Sequence, residues 1–170
     1  EAYDYPSIFF EERVHEIRRI NPDPNQIKQA VELIKNCKQP IIISGGGTLY
    51  SEAEDELSMF AKKHNIPVTQ TIMGIGVMDK ADPYTIGPIG CLGVGSSNSL
   101  SNDTDLALAV GTKLGDFTTG SWGNFHNPDF KLVSINTTRF DVTKHLATPV
   151  VSDAKLGLNA LSKILGQWRA

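Results

Sequence analysis

The stretch Pro40-Ile41-Ile42-Ile43-Ser44-Gly45-Gly46-Gly47 decides the fold. Three consecutive β-branched apolar residues, bounded by a proline and a glycine run, read as a short strand buried on both faces that ends in a tight turn. The next segment is helical: Ala53, Leu57, Phe60, Ala61 and His64 recur on one face, and Ser51 with Glu54 has the spacing of a capping box. A second strand, Ile66 to Thr71, comes after it. Strand, helix and strand in so little sequence predict parallel pairing, because a tight hairpin has no room for the helix.

The same grammar extends outward in both directions. Before the strand, Asp23 is placed to cap a helix with Pro24 at N1 and Gln26 at N3, and Ile27, Ala30, Val31 and Ile34 follow at helical spacing. After it, Leu106–Val110 and Lys131–Asn136 read as buried strands, and Val150-Val151 begins a shorter one. Asp153 then caps a last helix carrying Leu156, Leu158, Leu161, Ile164 and Leu165. Between them, residues 73–104 are rich in Gly and Ser, with a short helix opened by the run from Gly90 to Asn98. The sum is an α/β domain over 23–170: a doubly wound, mainly parallel sheet with helices on both faces, Rossmann-like. Residues 1–22 read as an interdomain linker, since Tyr3, Tyr5, Phe9 and Phe10 are mixed with charges and Pro22 and Pro24 interrupt the chain. Those aromatics call for a surface to pack on, which a neighbouring domain supplies more readily than solvent. With Glu1 in place of an initiator Met, this opening reads as a connection entered midway, and the expectation is a piece of a larger protein.

Composition narrows the function classes. With 40% apolar and 21% charged residues, the 170-residue chain has the balance of one folded domain rather than of a disordered segment. A net charge of −3 with scattered Lys and Arg leaves no basic surface for phosphates, so nucleic acid is not an expected partner. Cys37 and Cys91 are far apart and form no CxxC pair, which argues against a disulfide framework or zinc site and fits a reducing cytoplasm. No apolar run approaches the roughly 20 residues of a membrane helix.

In open parallel sheets, ligands bind beyond the carboxyl ends of the strands. The turns Gly45–Gly47, Gly111–Asp116 and Asn136–Asp141 therefore come first, and Gly45, Gly46, Gly47, Gly111, Thr112 and Lys113 are the candidate cofactor-binding residues. A triple glycine before a helix starting at Ser51 could admit a phosphate to free N–H groups. It matches neither GxGxxG nor a Walker loop, and the plainer account is a tight turn needing positive φ. His15, His64, His126 and His145 share no ligand spacing, and His64, closing an amphipathic helix, reads as a partly buried structural imidazole. The serines around 96–101 lack a nucleophile elbow, and Asp103, Asp105 and Asp116 border strands without a paired carboxylate. Phe117, Trp122, Phe125 and Phe130 either line a pocket or pack under a long loop. No catalytic residue and no metal ligand set emerges.

Scattered markers then give a resemblance. Lys38-Gln39-Pro40 with Gly45–Gly47, Ile66-Pro67-Val68 before Gly74-Ile75-Gly76, Pro83-Tyr84 with Ile86 to Gly90, Val110 to Lys113 and Ile135-Asn136 together resemble the central domain of acetolactate-synthase-like thiamine diphosphate enzymes, over residues 23–168. The opening EAYDYP with Phe9-Phe10, Arg13-Val14-His15 and Ile17-Arg18-Arg19, and the block Asp116 to Ser121, are similar to the branch that hydrolyses trihydroxycyclohexane-1,2-dione in myo-inositol catabolism.

The resemblance implies that thiamine diphosphate and Mg2+ serve the full-length enzyme. They would be held by flanking pyrimidine and diphosphate domains of the same chain, in a cytoplasmic homo-oligomer. The GDG…N motif for the diphosphate and the activating Glu are missing from this sequence, so the fragment is expected to be inactive and to hold no cofactor. Relatives of the acetolactate synthase or decarboxylase type carry FAD or ADP in this domain. Here Gly95 stands for the usual flavin-loop His, Lys113 for the Arg and Asn136 for the ribose-binding acid, which argues against a nucleotide. A free-standing nucleotide-binding or sirtuin-like NAD module is the reading from another class, lowered by the missing zinc cysteines.

Overall fold

A computed structural model describes residues 3–170. Six strands form one parallel sheet: β1 (Pro40–Ser44), β2 (Val68–Gln70), β3 (Thr85–Pro88), β4 (Leu106–Val110), β5 (Lys131–Asn136) and β6 (Thr148–Val151). Their order is β3-β2-β1-β4-β5-β6, so the winding reverses between β1 and β4, where such sheets open a crevice. The doubly wound expectation is met.

The pleat sends alternate residues to two cores. One core joins Ile42, Val68, Leu106, Leu108, Val110, Val133, Ile135 and Val150 to three helices, α1 (Pro24–Asn36), α3 (Glu54–His64) and α7 (Ala154–Leu165). The α1 stripe is as expected, with Ile27, Ala30, Val31 and Ile34 buried; on α7, Leu158, Leu161 and Leu165 are buried, whereas Leu156 is half-buried and Ile164 faces solvent. The Asp23 carboxylate accepts from the amides of Asn25 and Gln26, and Asp153 accepts from that of Leu156, which satisfies N–H groups the first helical turns cannot bond internally. The opposite core is thinner. Ile41, Ile43, Ala107, Ala109 and Leu132 meet Ile89 and Leu114, with Leu100 of α4 (Gly95–Asp103) and the aromatic loop after β4 packed against them.

Four details depart from the sequence reading. The second strand is shorter than Ile66–Thr71, and β3 has no counterpart in that reading because Gly87 and Pro88 interrupt its pattern. It is an edge strand, where a missing N–H is tolerated. A helical turn, α2 (Gly46–Tyr50), follows β1 directly, so Ser51 and Glu54 make no capping box: Ser51 closes α2, Ala53 precedes α3, and the Ser51 hydroxyl turns to Asp153. The triple glycine has no positive φ; Gly45 is extended at φ −112°.

The point where the arriving segment joins the domain and the last residue, Ala170, lie at opposite poles of the sheet. Ile20 accepts from the Asp153 amide at the carboxyl end, whereas Ala170 bonds the His64 carbonyl and the Asn65 side chain where α3 finishes.

Candidate functional site

At the carboxyl end of β1 and β4, glycine permits backbone to meet backbone. The Gly45 amide donates to the Val110 carbonyl at 2.8 Å and the Gly47 amide to the Gly111 carbonyl at 2.9 Å. A Cβ on Gly45 would stand 2.5 Å from the Gly111 oxygen, and one on Gly47 would stand 2.7 Å from the Gly111 Cα. Gly111 itself takes φ +61°, the left-handed region where glycine is favoured. Close approach, not positive φ, is therefore why Gly45 and Gly47 lack side chains. The Thr48 amide bonds the Gly45 carbonyl, so two of the first three amides of α2, those of Gly47 and Thr48, are already engaged within the chain.

This seam divides two depressions. On the β2 side lies a cleft of about 520 Å3 walled by Tyr50, Ile72, Met73, Ile89 and Phe117, with Thr112, Lys113 and Asp116 at its edge. Five of the six candidates, Gly46, Gly47, Gly111, Thr112 and Lys113, line it, and Gly45 sits behind them against Thr112. On the β6 side a smaller groove of about 200 Å3 runs past Ile17, Arg18, Arg19, Asn136 and Thr137. Asn136 is committed there: its amide donates to the Thr112 carbonyl at 3.2 Å, and its oxygen accepts from the Thr138 amide at 3.0 Å. That bridge occupies the group that stands where a nucleotide site would place its ribose-binding carboxylate.

The remaining polar candidates have structural partners. The Asp105 carboxylate accepts from the amides of Lys38 at 2.7 Å and Gln39 at 2.9 Å, which fixes the start of β1. His64 is fully buried rather than partly so, with Nδ1 2.8 Å from the Trp168 carbonyl and Nε2 3.3 Å from the Ser162 hydroxyl. A carbonyl only accepts, so Nδ1 carries a proton. Burial holds it below its ordinary 6.5, helped by nearby Lys63 and opposed by the Trp168 bond. Burial also pushes the Cys37 thiol up to about 12, reinforced by Asp105, so it is a poor nucleophile. Trp122, Phe125 and Phe130 stack in sequence under their loop, with His145 4.3 Å from the Trp122 ring, whereas Phe117 stands exposed in the cleft.

The sequence reading missed a network centred on Asp153, seen there only as a helix cap. Its Oδ2 accepts from Arg19 Nη1 and from the Ser51 hydroxyl, both at 2.9 Å. No local pattern pairs residues so distant in sequence.

Among the described residues, no three His, Cys, Asp or Glu side chains gather to hold a metal ion. The described residues therefore offer no gathered ligand set of the kind a diphosphate–Mg2+ site needs. No described helix is long and apolar enough to cross a membrane.

A family model described as the central domain of thiamine pyrophosphate enzymes matches residues 27–161. The chain belongs to this family. It is 43% identical over 165 residues to 3D-(3,5/4)-trihydroxycyclohexane-1,2-dione hydrolases of Clostridium botulinum and Clostridium tetani, covering 97% of this chain and 26% of each relative. It thus spans about a quarter of the length of these curated relatives. The solved benzoylformate decarboxylase of Polynucleobacter necessarius superposes with a TM-score of 0.74 at 22% identity, over 97% of this chain and 34% of that one, a likeness of fold. The central domain that the sequence resembled is the domain observed.

Proposed function

We propose that this chain is the structural and interface domain of a longer thiamine diphosphate-dependent carbon–carbon hydrolase acting on trihydroxycyclohexane-1,2-dione. Residues 23–170 form the domain and 1–22 the linker to a preceding one. The observation that carries the reading is the 43% identity to hydrolases of that name across 97% of the chain. In this reading, pyrimidine and diphosphate domains of the same longer protein hold thiamine diphosphate with Mg2+, in a cytoplasmic homo-oligomer. The cofactor supplies the electron sink for bond cleavage. Gly45, Gly46, Gly47, Gly111, Thr112 and Lys113 act as the seam between strand-end loops, not as cofactor ligands. Support comes from the amides already bonded across that seam and from the lack of a gathered metal-ligand set among the described residues. Without those neighbouring domains the chain folds but has no activity.

Titration calorimetry and dione cleavage, measured on this chain and on a full-length relative carrying it, test the reading. The expected result is cleavage by the full-length protein with thiamine diphosphate and Mg2+, and neither binding heat nor cleavage by the isolated chain. Saturable binding to the isolated chain in the micromolar range, about −8 kcal/mol, would overturn the division of labour. A stoichiometric flavin band near about 450 nm in purified protein would instead assign the cleft to a nucleotide cofactor.

A further inference from the structure

We propose that Arg19 and Asp153 form a joint that fixes the direction in which the polypeptide before residue 19 leaves the domain. They are a positioning pair for whatever that polypeptide carries. The proposal rests on the reading above, in which the domain belongs to a longer chain.

Asp153 is 3% exposed, an unusual setting for a carboxylate unless it is paired. Three side-chain or backbone donors converge on it from separate parts of the fold. Arg19 Nη1 and the Ser51 hydroxyl reach Oδ2 at 2.9 Å, and the Leu156 amide reaches Oδ1 at 3.2 Å. The amide of Asp153 also donates to the Ile20 carbonyl at 2.9 Å, so the arriving segment is held by backbone as well as by side chain. Arg19 Nη1 donates in addition to the Tyr50 carbonyl at 2.9 Å, and Nη2 lies 3.9 Å from Glu52. A planar guanidinium bonded to two acceptors has its orientation set, which a Lys ammonium cannot reproduce. The buried carboxylate thus ties the arriving segment, the turn between α2 and α3, and the start of α7 into one point.

Upstream, the character changes at once. Every residue from Tyr3 to Arg18 is exposed, including Phe9, Phe10, Val14 and Ile17. Arg19 is the first partly buried residue, and Ile17 and Arg18 border the groove beside the Gly47–Gly111 seam. The joint therefore stands where a solvent-exposed segment becomes part of the domain, next to the cleft at the carboxyl end of the sheet. A preceding domain would be aimed from here, and the C-terminal end is secured separately at the opposite pole by His64 and Asn65.

Electron–electron distance measurements on this chain test the joint. In a Cys37→Ser, Cys91→Ser background, spin labels are placed at Ile17→Cys beside the joint and at Asp129→Cys on the opposite end. The parent protein is expected to give one narrow distance distribution. Arg19→Met should widen it about twofold or more by freeing the segment locally, and Arg19→Lys should restore part of the narrowness. Because Arg19→Met leaves a buried charge unpaired and could impair folding, Arg19→Met/Asp153→Asn, which removes both charges, is measured beside it with a thermal melt. A broad distribution in the parent, or unchanged width in cooperatively folding Arg19→Met and double variants, would overturn the joint. Failure of the hydrolase reading would show in the full-length cleavage assay and leave these widths untouched.

Discussion

The two faces of the sheet are built by different means. One is sealed by α1, α3 and α7, whose regular stripes interlock with the larger residues of β4, β5 and β6. On the other, β1 still presents Ile41 and Ile43, but β4 and β5 present Ala107, Ala109 and Ser134 beside Leu132, and the cover is α4 together with an irregular loop held by the Trp122–Phe125–Phe130 stack. The difference teaches where this domain keeps its stability and where it can vary. A face sealed by three helices loses packing contacts on many sides when one member is cut back, whereas a half-buried aromatic under a loop leaves a gap that the loop can partly close.

The largest expected effect breaks or upholds that contrast. Phe60→Ala, at a site 2% exposed in the helix-sealed core, should cost about 3–5 kcal/mol in denaturant unfolding, against about 1–2 kcal/mol for the half-buried Trp122→Ala. Equal losses would show that the loop-covered face is as rigid as the other. Next comes the seam at the strand ends. Gly47→Ala forces a Cβ to within 2.7 Å of the Gly111 backbone and should destabilise by about 1–3 kcal/mol. Gly95→Ala, in α4 with nothing within 4 Å of the added carbon, should be neutral or stabilise by up to about 1 kcal/mol. If the two changes have the same melting temperature, close approach is not what selects glycine at the seam.

The smallest effect concerns the titratable member of the helix-sealed side. His64 in the folded protein takes up its proton below the ordinary 6.5, chiefly because it is buried, so the unfolded chain binds more protons between those two values. Stability is then fully present above about pH 6.5 and is lost as pH falls from there toward the folded value. Melting curves across that window should show this decline, and His64→Gln should flatten it. An unchanged slope in the variant would remove His64 from the acid response.

How much of this was legible depended on how local the signal was. The α1 stripe with its Asp23 cap and Pro24, the runs Leu106–Val110 and Lys131–Asn136, and the Asp153 cap could be read because each is written within about one or two helical turns or one strand. The parallel sheet followed from their order, and the scattered family markers pointed to the central domain of thiamine pyrophosphate enzymes. The edge strand Thr85–Pro88 was hidden by Gly87 and Pro88, whose tolerance depends on a position at the sheet edge that no local pattern records.

The sequence by itself determined which segments are strands and helices in most of the domain and which family it belongs to, because periodicity, caps and short motifs act between near neighbours. Only the tertiary structure decided what the special residues do. Gly45 and Gly47 are small because Gly111, more than 60 positions later, packs on them, and Asp153 is paired because Arg19 and Ser51, each more than 100 positions earlier, arrive beside it. Such contacts depend on where parallel strands end, and parallel pairing brings together chain segments that a crossover has separated in sequence.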